Sequence, residues 1–210
     1  PKGRWVLTEF TGDSLCLYIS KTHDPMGAQD SSTWYIYEFD SASGGLPDYP
    51  KFGVWQDGYY VGANEANRLY AFDRENMLNG DPARGYQVFQ APGLPGFGFQ
   101  HMMPADADGD TMPPADAPAI FMRHRDSEYH ADTTTDDVSE LWEFTTDFDT
   151  PANSALTGPT NIVISEFDTN LGGTNFGDLS VPQPSGTNLF PLKQPLMWRV
   201  QHRTIDDKQY

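Results

Sequence analysis

Four aspartates fall within one eleven-residue stretch, DADGDTMPPAD at positions 106–116. Asp106, Asp108 and Asp110 alternate with alanine and glycine, which brings their carboxylates to one side of a tight loop, and Asp116 follows two prolines. Hard cations such as Ca²⁺ take oxygen ligands of this kind. The stretch begins like an EF-hand loop, but it lacks the glutamate at the twelfth position and has no helical flanks. It predicts either an inter-strand calcium loop made by these aspartates or a solvated turn.

A second stretch, RHRDSEYH at positions 123–130, gathers charged, acid–base and metal-ligand side chains. His124 and His130, together with His101, are candidate ligands for a transition metal. Their spacing inside a loop does not match a known zinc-ligand pattern. A surface loop held by its own salt bridges accounts for the same residues, and the sequence leaves both interpretations open.

Carboxylates also cleave glycosidic bonds, in pairs held about 5 to 10 Å apart. Under that hypothesis the candidate catalytic residues are Glu65, Asp126 and Glu128, with Glu9 as a further candidate and Arg68 or Arg123 holding the substrate. The chain lacks an Asp-box repeat, a Gly-x-Ser-x-Gly elbow, a Walker loop and a His-Glu-x-x-His motif. We therefore expect a binding protein, with a glycoside hydrolase or polysaccharide lyase as the alternative.

The chain of 210 residues carries a formal charge of −17, and most of its 30 acidic residues are aspartate. Aspartate disfavours helix and strand interiors and hydrogen-bonds its own backbone in turns, so this composition is typical of many short strands joined by tight turns. Sequence-independent binding to nucleic acid needs lysine and arginine to neutralise phosphates. Nucleic acids and anionic membranes are therefore not expected partners.

Cysteine usage and the chain ends indicate the setting. Cys16 is the only cysteine, so an internal disulfide is excluded, and its apolar surroundings predict a buried, inert thiol. No apolar run is long enough to span a membrane, and the first ten residues do not form a signal peptide. We expect a secreted or cell-surface protein whose export signal is not in this chain.

Short runs rich in aromatic and β-branched residues, bounded by Gly, Asp, Pro and Ser, predict strands throughout the chain. They are RWVLTEF (4–10), SLCLYIS (14–20), TWYIYEF (33–39), FGVW (52–55), YYVGAN (59–64), NRLYAFD (67–73), YQVFQ (86–90), AIFMRH (119–124), DVSELWEFTTDF (137–148), NIVISEF (161–167) and LMWRVQHR (196–203). Only residues 74–79 have a helical pattern, and the Gly- and Pro-rich stretch 91–104 predicts an ordered loop. The predicted fold class is all-β.

The dipeptide Phe-Asp closes a predicted strand at residues 39–40, 72–73, 148–149 and 167–168, and the segments around the first three share an aromatic, acidic, aromatic cadence. The separations of the first two pairs approach one and two repeats of a β-propeller blade, about 40 to 50 residues each. Radial repetition also limits exposed sheet edges. A β-propeller is the predicted architecture, and a β-sandwich or jelly roll is the alternative.

Several segments carry a family resemblance. DYPKFGVWQDGYYVGANE, LYAFDRENMLNG, SELWEF and QPLMWRVQHR are similar to segments of uncharacterised secreted bacterial proteins predicted to be β-propellers. The resemblance implies a single propeller domain over residues 1–210, with four to five blades, or a fragment of a larger ring. It implies no reaction and no catalytic residues. In a closed ring, the first and last predicted strands would pair in one composite blade.

These observations together favour an extracellular propeller that binds a glycan or a protein partner, with calcium as a possible stabilising ion and no other cofactor. A structural segment of a larger surface protein is a further alternative. Propellers concentrate function on the loops at one face. The predicted binding residues are therefore Asn64, Glu65, Arg68, Arg123 and Asp126.

Overall fold

The computed structural model describes residues 3–28, 30–95, 101–130, 136–169, 180–191, 195–206 and 208–210. The strands are β1 (Val6–Thr11), β2 (Ser14–Ser20), β3 (Trp34–Asp40), β4 (Asp48–Val54), β5 (Gly58–Asn64), β6 (Arg68–Asp73), β7 (Tyr86–Gln90), β8 (Met103–Asp108), β9 (Ala119–Arg125), β10 (Val138–Thr145), β11 (Ala155–Val163), β12 (Val200–Ile205) and β13 (Lys208–Gln209). Helix α1 (Arg74–Asn79) and a 3-10 helix (Pro151–Asn153) are the helices of the described part. The predicted all-β class is confirmed.

The strands form three sheets that follow the chain order closely. The first sheet has the order β1-β2-β3 and the second the order β4-β5-β6-β7, both antiparallel. The third sheet has the order β11-β10-β9-β8-β12-β13, in which β12 pairs with β8 in parallel and the other pairs are antiparallel. Consecutive antiparallel strands put the β8–β9 and β10–β11 connections at one end of the third sheet and the β9–β10 connection at the other.

The second sheet is buried on both faces, which explains why β5 and β6 are apolar at nearly every position. Side chains alternate across a strand, so neighbouring residues face opposite sheets. Tyr59 and Val61 of β5 pack in a core with Leu15, Leu17 and other residues of the first sheet. Tyr60, between them, belongs to a second core that includes side chains of the third sheet, such as Phe121 and Phe144. The three sheets therefore pack in layers.

Two glycines allow the second sheet to approach strand β8 very closely. A Cβ atom on Gly53 would lie 2.3 Å from the carbonyl oxygen of Ala105, and one on Gly62 would lie 1.8 Å from that of Met102. No larger residue can occupy either position without moving the backbone. Glycine is therefore required here for packing rather than for a turn.

Strand β8 falls in a region whose sequence predicts loop, and it differs from that prediction because its partners are distant in the chain. It pairs with β9 through Met103 and Pro104 and with β12 through the register Ala105–Asp108. Strand β1 pairs with β2, in another sheet from β12. The predicted composite blade of the first and last strands is therefore wrong for the described strands.

Among the residues that the structure describes, no helix has the length and apolar content to cross a membrane.

Candidate functional site

The connection after β9 is shaped by Asp126, a buried carboxylate that organises two loops. Its Oδ1 accepts a hydrogen bond at 3.0 Å from the backbone N–H of Tyr129, three residues further along the chain. Its Oδ2 accepts from both the backbone N–H and the hydroxyl of Thr169, each at 2.7 Å. One side chain thus fixes the turn 126–130 and ties it to the segment that follows β11.

Asp137, at the far end of the same connection, has the same kind of role. Its Oδ1 accepts from the Ser127 N–H at 2.9 Å, and its Oδ2 accepts from the Phe167 N–H at 2.7 Å. Its backbone carbonyl accepts from the Ile164 N–H at 3.0 Å. Because all these donors are backbone N–H groups, the position of the carboxylate is set by the fold.

Asp126 and Asp137 meet the exposed side chain of Glu128. One carboxylate oxygen from each of the three lies within 4.8 Å of the others, close enough to share a metal ion. A pocket of about 300 Å³ opens beside them, lined by Asp126, Glu128, Tyr129, Glu166 and Asp168. We call these lining residues, together with Asp137, the acidic pocket. Among the described residues that line it, none is a lysine or an arginine.

The carboxylates keep lone pairs for a ligand after their protein hydrogen bonds are counted. Each carboxylate oxygen can accept about two hydrogen bonds. Oδ1 of Asp126 and both oxygens of Asp137 each accept one hydrogen bond, and Oε2 of Glu128 accepts one from the Ser127 hydroxyl at 3.1 Å. Hydrogen bonds of this kind orient carboxylate ligands before a metal arrives. The pocket can therefore offer at least three oriented oxygen donors.

The charge state of the pocket is set by burial and by these hydrogen bonds. Burial raises the pKa of Asp126, but the hydrogen bonds from Thr169 and Tyr129 outweigh it and bring the pKa below its usual value. Burial lowers the pKa of His124 to about 4, and it also lowers that of His130. The two histidines are thus neutral at pH 7, and the pocket stays negative.

The buried histidines predict a loss of stability in mild acid. Burial also lowers the pKa of His101 to about 4. In the unfolded chain these rings bind protons near pH 6.5, so acid favours the unfolded state as the pH falls from about 6.5 to about 4. We expect a loss of roughly 3 kcal/mol for each of His101 and His124 across that window. Urea unfolding at several pH values measures it.

His124→Phe separates this effect from other acid-sensitive groups. Phenylalanine keeps a ring against Phe167, whose centroid lies 5.2 Å from that of His124. The variant should show a shallower dependence of unfolding free energy on pH between 6.5 and 4, whatever its absolute stability. An unchanged slope would contradict the assignment of His124 as a buried neutral histidine.

Glu65, predicted as a catalytic or binding residue, lies in a buried network between loops. Its Oε1 accepts from the Ser43 N–H at 2.8 Å, and its Oε2 accepts from the Tyr70 hydroxyl. Arg68 Nη1 lies 3.6 Å from Oε1. The structure thus brings Glu65 and Arg68 together, beside Asn64 at the end of β5, but neither Glu65 nor Arg68 lines the acidic pocket.

Arg123, also a predicted binding residue, is buried on β9 and bound to protein groups. Its Nε donates to Glu140 Oε2 at 2.7 Å, and its Nη1 donates to the Pro92 carbonyl at 2.7 Å. Its guanidinium also stacks over the Trp142 ring, 5.9 Å from the centroid. These contacts give Arg123 a structural role.

Glu9, the remaining carboxylate candidate, is exposed on β1 and accepts a hydrogen bond from the Tyr18 hydroxyl.

The aspartates of the predicted calcium loop are divided between a strand and exposed turns. Asp106 and Asp108 lie in β8, where both bind Arg199, and the Arg199 Nη2 to Asp108 Oδ2 distance is 2.5 Å. Asp110 and Asp116 are exposed. Arg199 thus supplies Asp106 and Asp108 with a positive charge in place of a metal ion. Calcium binding by these four aspartates stays a prediction.

Of the predicted residues, the fold brings Asp126 and Glu128 into one pocket. Sequence reasoning did not identify Asp137, Glu166 or Asp168 as site residues. All three stand at or just beyond the ends of predicted strands, where carboxylates are common in turns, so they carried no separate signal. Hydrogen bonds from Phe167 and Thr169 bring the segment of Glu166 and Asp168 to Asp137 and Asp126, and these contacts exist only in the fold.

The fold and the pocket define an all-β protein with a carboxylate-lined site at the end of its third sheet. Comparisons with protein-family models, with curated proteins and with solved structures find no match for this chain.

Proposed function

We propose that the protein is a non-catalytic binding protein of β-propeller architecture that is stabilised by Ca²⁺ in the acidic pocket. The observation that carries the proposal is the approach of three carboxylates, from Asp126, Glu128 and Asp137, to within 4.8 Å without a neutralising arginine or lysine among the described pocket residues. Three negative charges at this distance repel one another, and a hard divalent cation relieves the repulsion.

The propeller part of the proposal is supported by the arrangement of the sheets. The second sheet is a four-stranded meander, β8 to β11 form another, and the first sheet contributes three strands. Face-to-face packing of consecutive meanders is the relation between neighbouring propeller blades. Each sheet is one blade in this proposal, and β12 pairs with the free edge of β8. A sandwich would instead pack two sheets over one shared core.

Binding is favoured over glycoside hydrolysis by the state of the pocket carboxylates. A hydrolase needs one carboxyl that stays protonated near neutral pH to act as general acid. Asp126 does not meet this requirement, because its hydrogen bonds hold its pKa below the usual value and favour its ionised form. The proposal also includes a secreted or cell-surface location. It further includes a glycan or protein partner that binds to the loops.

Thermal melting with and without calcium tests the metal site. Calcium at 100 times its Kd should stabilise the folded protein by about 2.7 kcal/mol, which raises the Tm by roughly 5 to 10 °C for a chain of this size. EDTA should reverse the shift. Glu128→Gln should abolish most of it, because the substitution removes one ligand charge from an exposed residue without disturbing the buried hydrogen bonds.

Asp110→Asn is the matched control, since Asp110 is an exposed aspartate of the 106–116 stretch. It should retain the full calcium shift. Loss of the shift in Asp110→Asn but not in Glu128→Gln would move the calcium site to that stretch, and no shift in the parent protein would reject calcium stabilisation.

A further inference from the structure

A second cavity lies at the end of the third sheet opposite to the acidic pocket. Its volume is about 710 Å³. It is formed where the segment before β1, the β4–β5 turn, helix α1 with the connection that follows it, the β8–β9 connection and the β10–β11 connection meet. We call it the arginine pocket and define it by Arg4, Asp57, Arg74, Asn79, Arg84 and Phe148.

Three arginines in one cavity is an unusual concentration for this chain, which has 13 lysines and arginines against 30 acidic residues. Arg84 is already neutralised, because its Nε and Nη2 lie 2.6 and 3.0 Å from the two oxygens of Asp73 and its Nη1 lies 2.5 Å from Asp149. Arg84 therefore has little charge to offer a ligand.

Arg4 and Arg74 differ from Arg84 in having no counter-ion. Within the described ranges, no carboxylate oxygen lies within 4.0 Å of either guanidinium. Arg4 Nη1 donates to the Ser20 carbonyl at 2.6 Å, and Arg74 Nη1 donates to the Gln56 carbonyl at 3.0 Å. A carbonyl satisfies one N–H group but does not neutralise a cation. Among the described residues, neither guanidinium is paired with a carboxylate, and both line the cavity.

Arg4 and Arg74 both line the cavity, and both lie near the buried side chain of Tyr59. Burial raises the pKa of the neighbouring Tyr59 to about 12, and the charges of Arg74 and Arg4 both oppose that rise. Two guanidinium groups in the wall of one cavity suit an anion, because their planar N–H groups match the oxygens of a carboxylate or phosphate.

The rest of the lining distinguishes between these anions. Asp57 and Glu75 also line the cavity, and their charges disfavour a phosphate dianion. Asp57 is held in place, since its Oδ2 accepts from the hydroxyls of Tyr60 and Thr146. Asn79 adds an amide, and Phe148 and Leu78 add apolar surface. Carboxylates, amides and an apolar wall together are the groups that bind a hydroxylated ring.

We propose that the arginine pocket binds a sugar acid, with the sugar carboxylate on Arg4 and Arg74 and its hydroxyl groups on the polar wall. The volume of about 710 Å³ exceeds the needs of one monosaccharide and leaves room for the neighbouring residues of a longer acidic glycan. This inference rests on the proposed function only in that the protein is a binding protein, and it does not require calcium.

The test is isothermal titration of the full chain with sodium glucuronate, in EDTA, against glucose and inorganic phosphate as comparison ligands. Glucuronate should bind about tenfold or more tightly than glucose, which lacks the carboxylate, and more tightly than phosphate. Arg4→Gln and Arg74→Gln should each weaken glucuronate binding about 10- to 100-fold. Arg203→Gln is the matched control, since Arg203 lies on β12 and binds Asp108, and it should bind like the parent protein.

Ala115→Trp gives a second variant that does not alter charge, because Ala115 is exposed at the cavity wall and a large ring there should block entry. Equal affinities for glucuronate and glucose, or unchanged binding in both arginine variants, would overturn the site. Phosphate binding at least as tight as glucuronate would overturn the ligand class. Because the titration is done in EDTA, its failure leaves the calcium shift in melting intact, and the two proposals fail separately.

Discussion

Gly62→Ala is expected to lower the free energy of unfolding by at least about 4 kcal/mol, or to prevent folding. A Cβ atom at this position would lie 1.8 Å from the Met102 carbonyl oxygen and 3.0 Å from its carbonyl carbon. Both atoms belong to the backbone, so no side-chain rotation relieves the clash. Relief requires strand β5 and the segment before β8 to separate, and that opens the core in which Met102 is fully buried.

Gly93→Ala is the matched control for this substitution. Gly93 is exposed, and the nearest atom to an added Cβ is Nδ2 of Asn67 at 3.6 Å, an ordinary van der Waals distance. Its unfolding free energy should stay within about 0.5 kcal/mol of the parent value. Urea unfolding compares the proteins, with soluble yield as the readout if Gly62→Ala does not fold. A Gly62→Ala protein as stable as Gly93→Ala would refute the close approach of the second sheet to β8.

The strands and the helix could be predicted wherever the signals are local. Helix α1 begins after Asp73, whose side chain accepts from the Asn76 N–H at 3.3 Å, and ends at Gly80, which is left-handed with φ of 79°. Those two residues are standard capping signals in the sequence. The Asp57-Gly58 pair likewise predicts the turn between β4 and β5. Interactions over a few residues decide these elements, so the sequence contains the necessary information.

The elements that sequence reasoning missed depend on distant partners. Strand β8 reads MPADAD, with a proline and two aspartates, and becomes a strand because β9 and β12 supply its hydrogen bonds and Arg199 supplies the counter-charge. Strand β11 begins earlier than predicted because Gly158 and Pro159 are accommodated at a register shift of the β10–β11 pair, where the two residues lie opposite Trp142 alone. Neither the start of β8 nor that of β11 could be predicted from the residues of the strand itself.

The candidate site divides in the same way. Asp126 and Glu128 could be predicted because they stand together in a charged stretch. The contribution of Asp137 and of the segment 166–169 depends on backbone N–H groups of Ser127, Phe167 and Thr169 that meet only in the fold. The arginine pocket was not predicted either, because five separate segments form it and Arg4 and Arg74 lie in unrelated stretches of sequence.

Arg123→Met is expected to cost about 3 kcal/mol, because it leaves Glu140 charged and buried without its main partner. Glu140 is 2% exposed, and Arg123 Nε donates to it at 2.7 Å. Two weaker contacts survive the substitution, from Trp142 Nε1 at 3.1 Å and Arg125 Nε at 3.5 Å. They keep the loss at the lower end of the range expected when one partner of a buried pair is removed. Urea unfolding at pH 7 measures the change.

Arg203→Met controls for the removal of an arginine, since Arg203 makes an ion pair with Asp108 while its side chain remains 51% exposed. A pair in that setting contributes about 0 to 1 kcal/mol, so the control should be clearly more stable than Arg123→Met. Adding Glu140→Gln to Arg123→Met should recover part of the loss, because the amide keeps the Trp142 hydrogen bond and removes the unpaired charge. If the double variant is no more stable than Arg123→Met, the cost arises from lost packing over Trp142 and not from the buried charge.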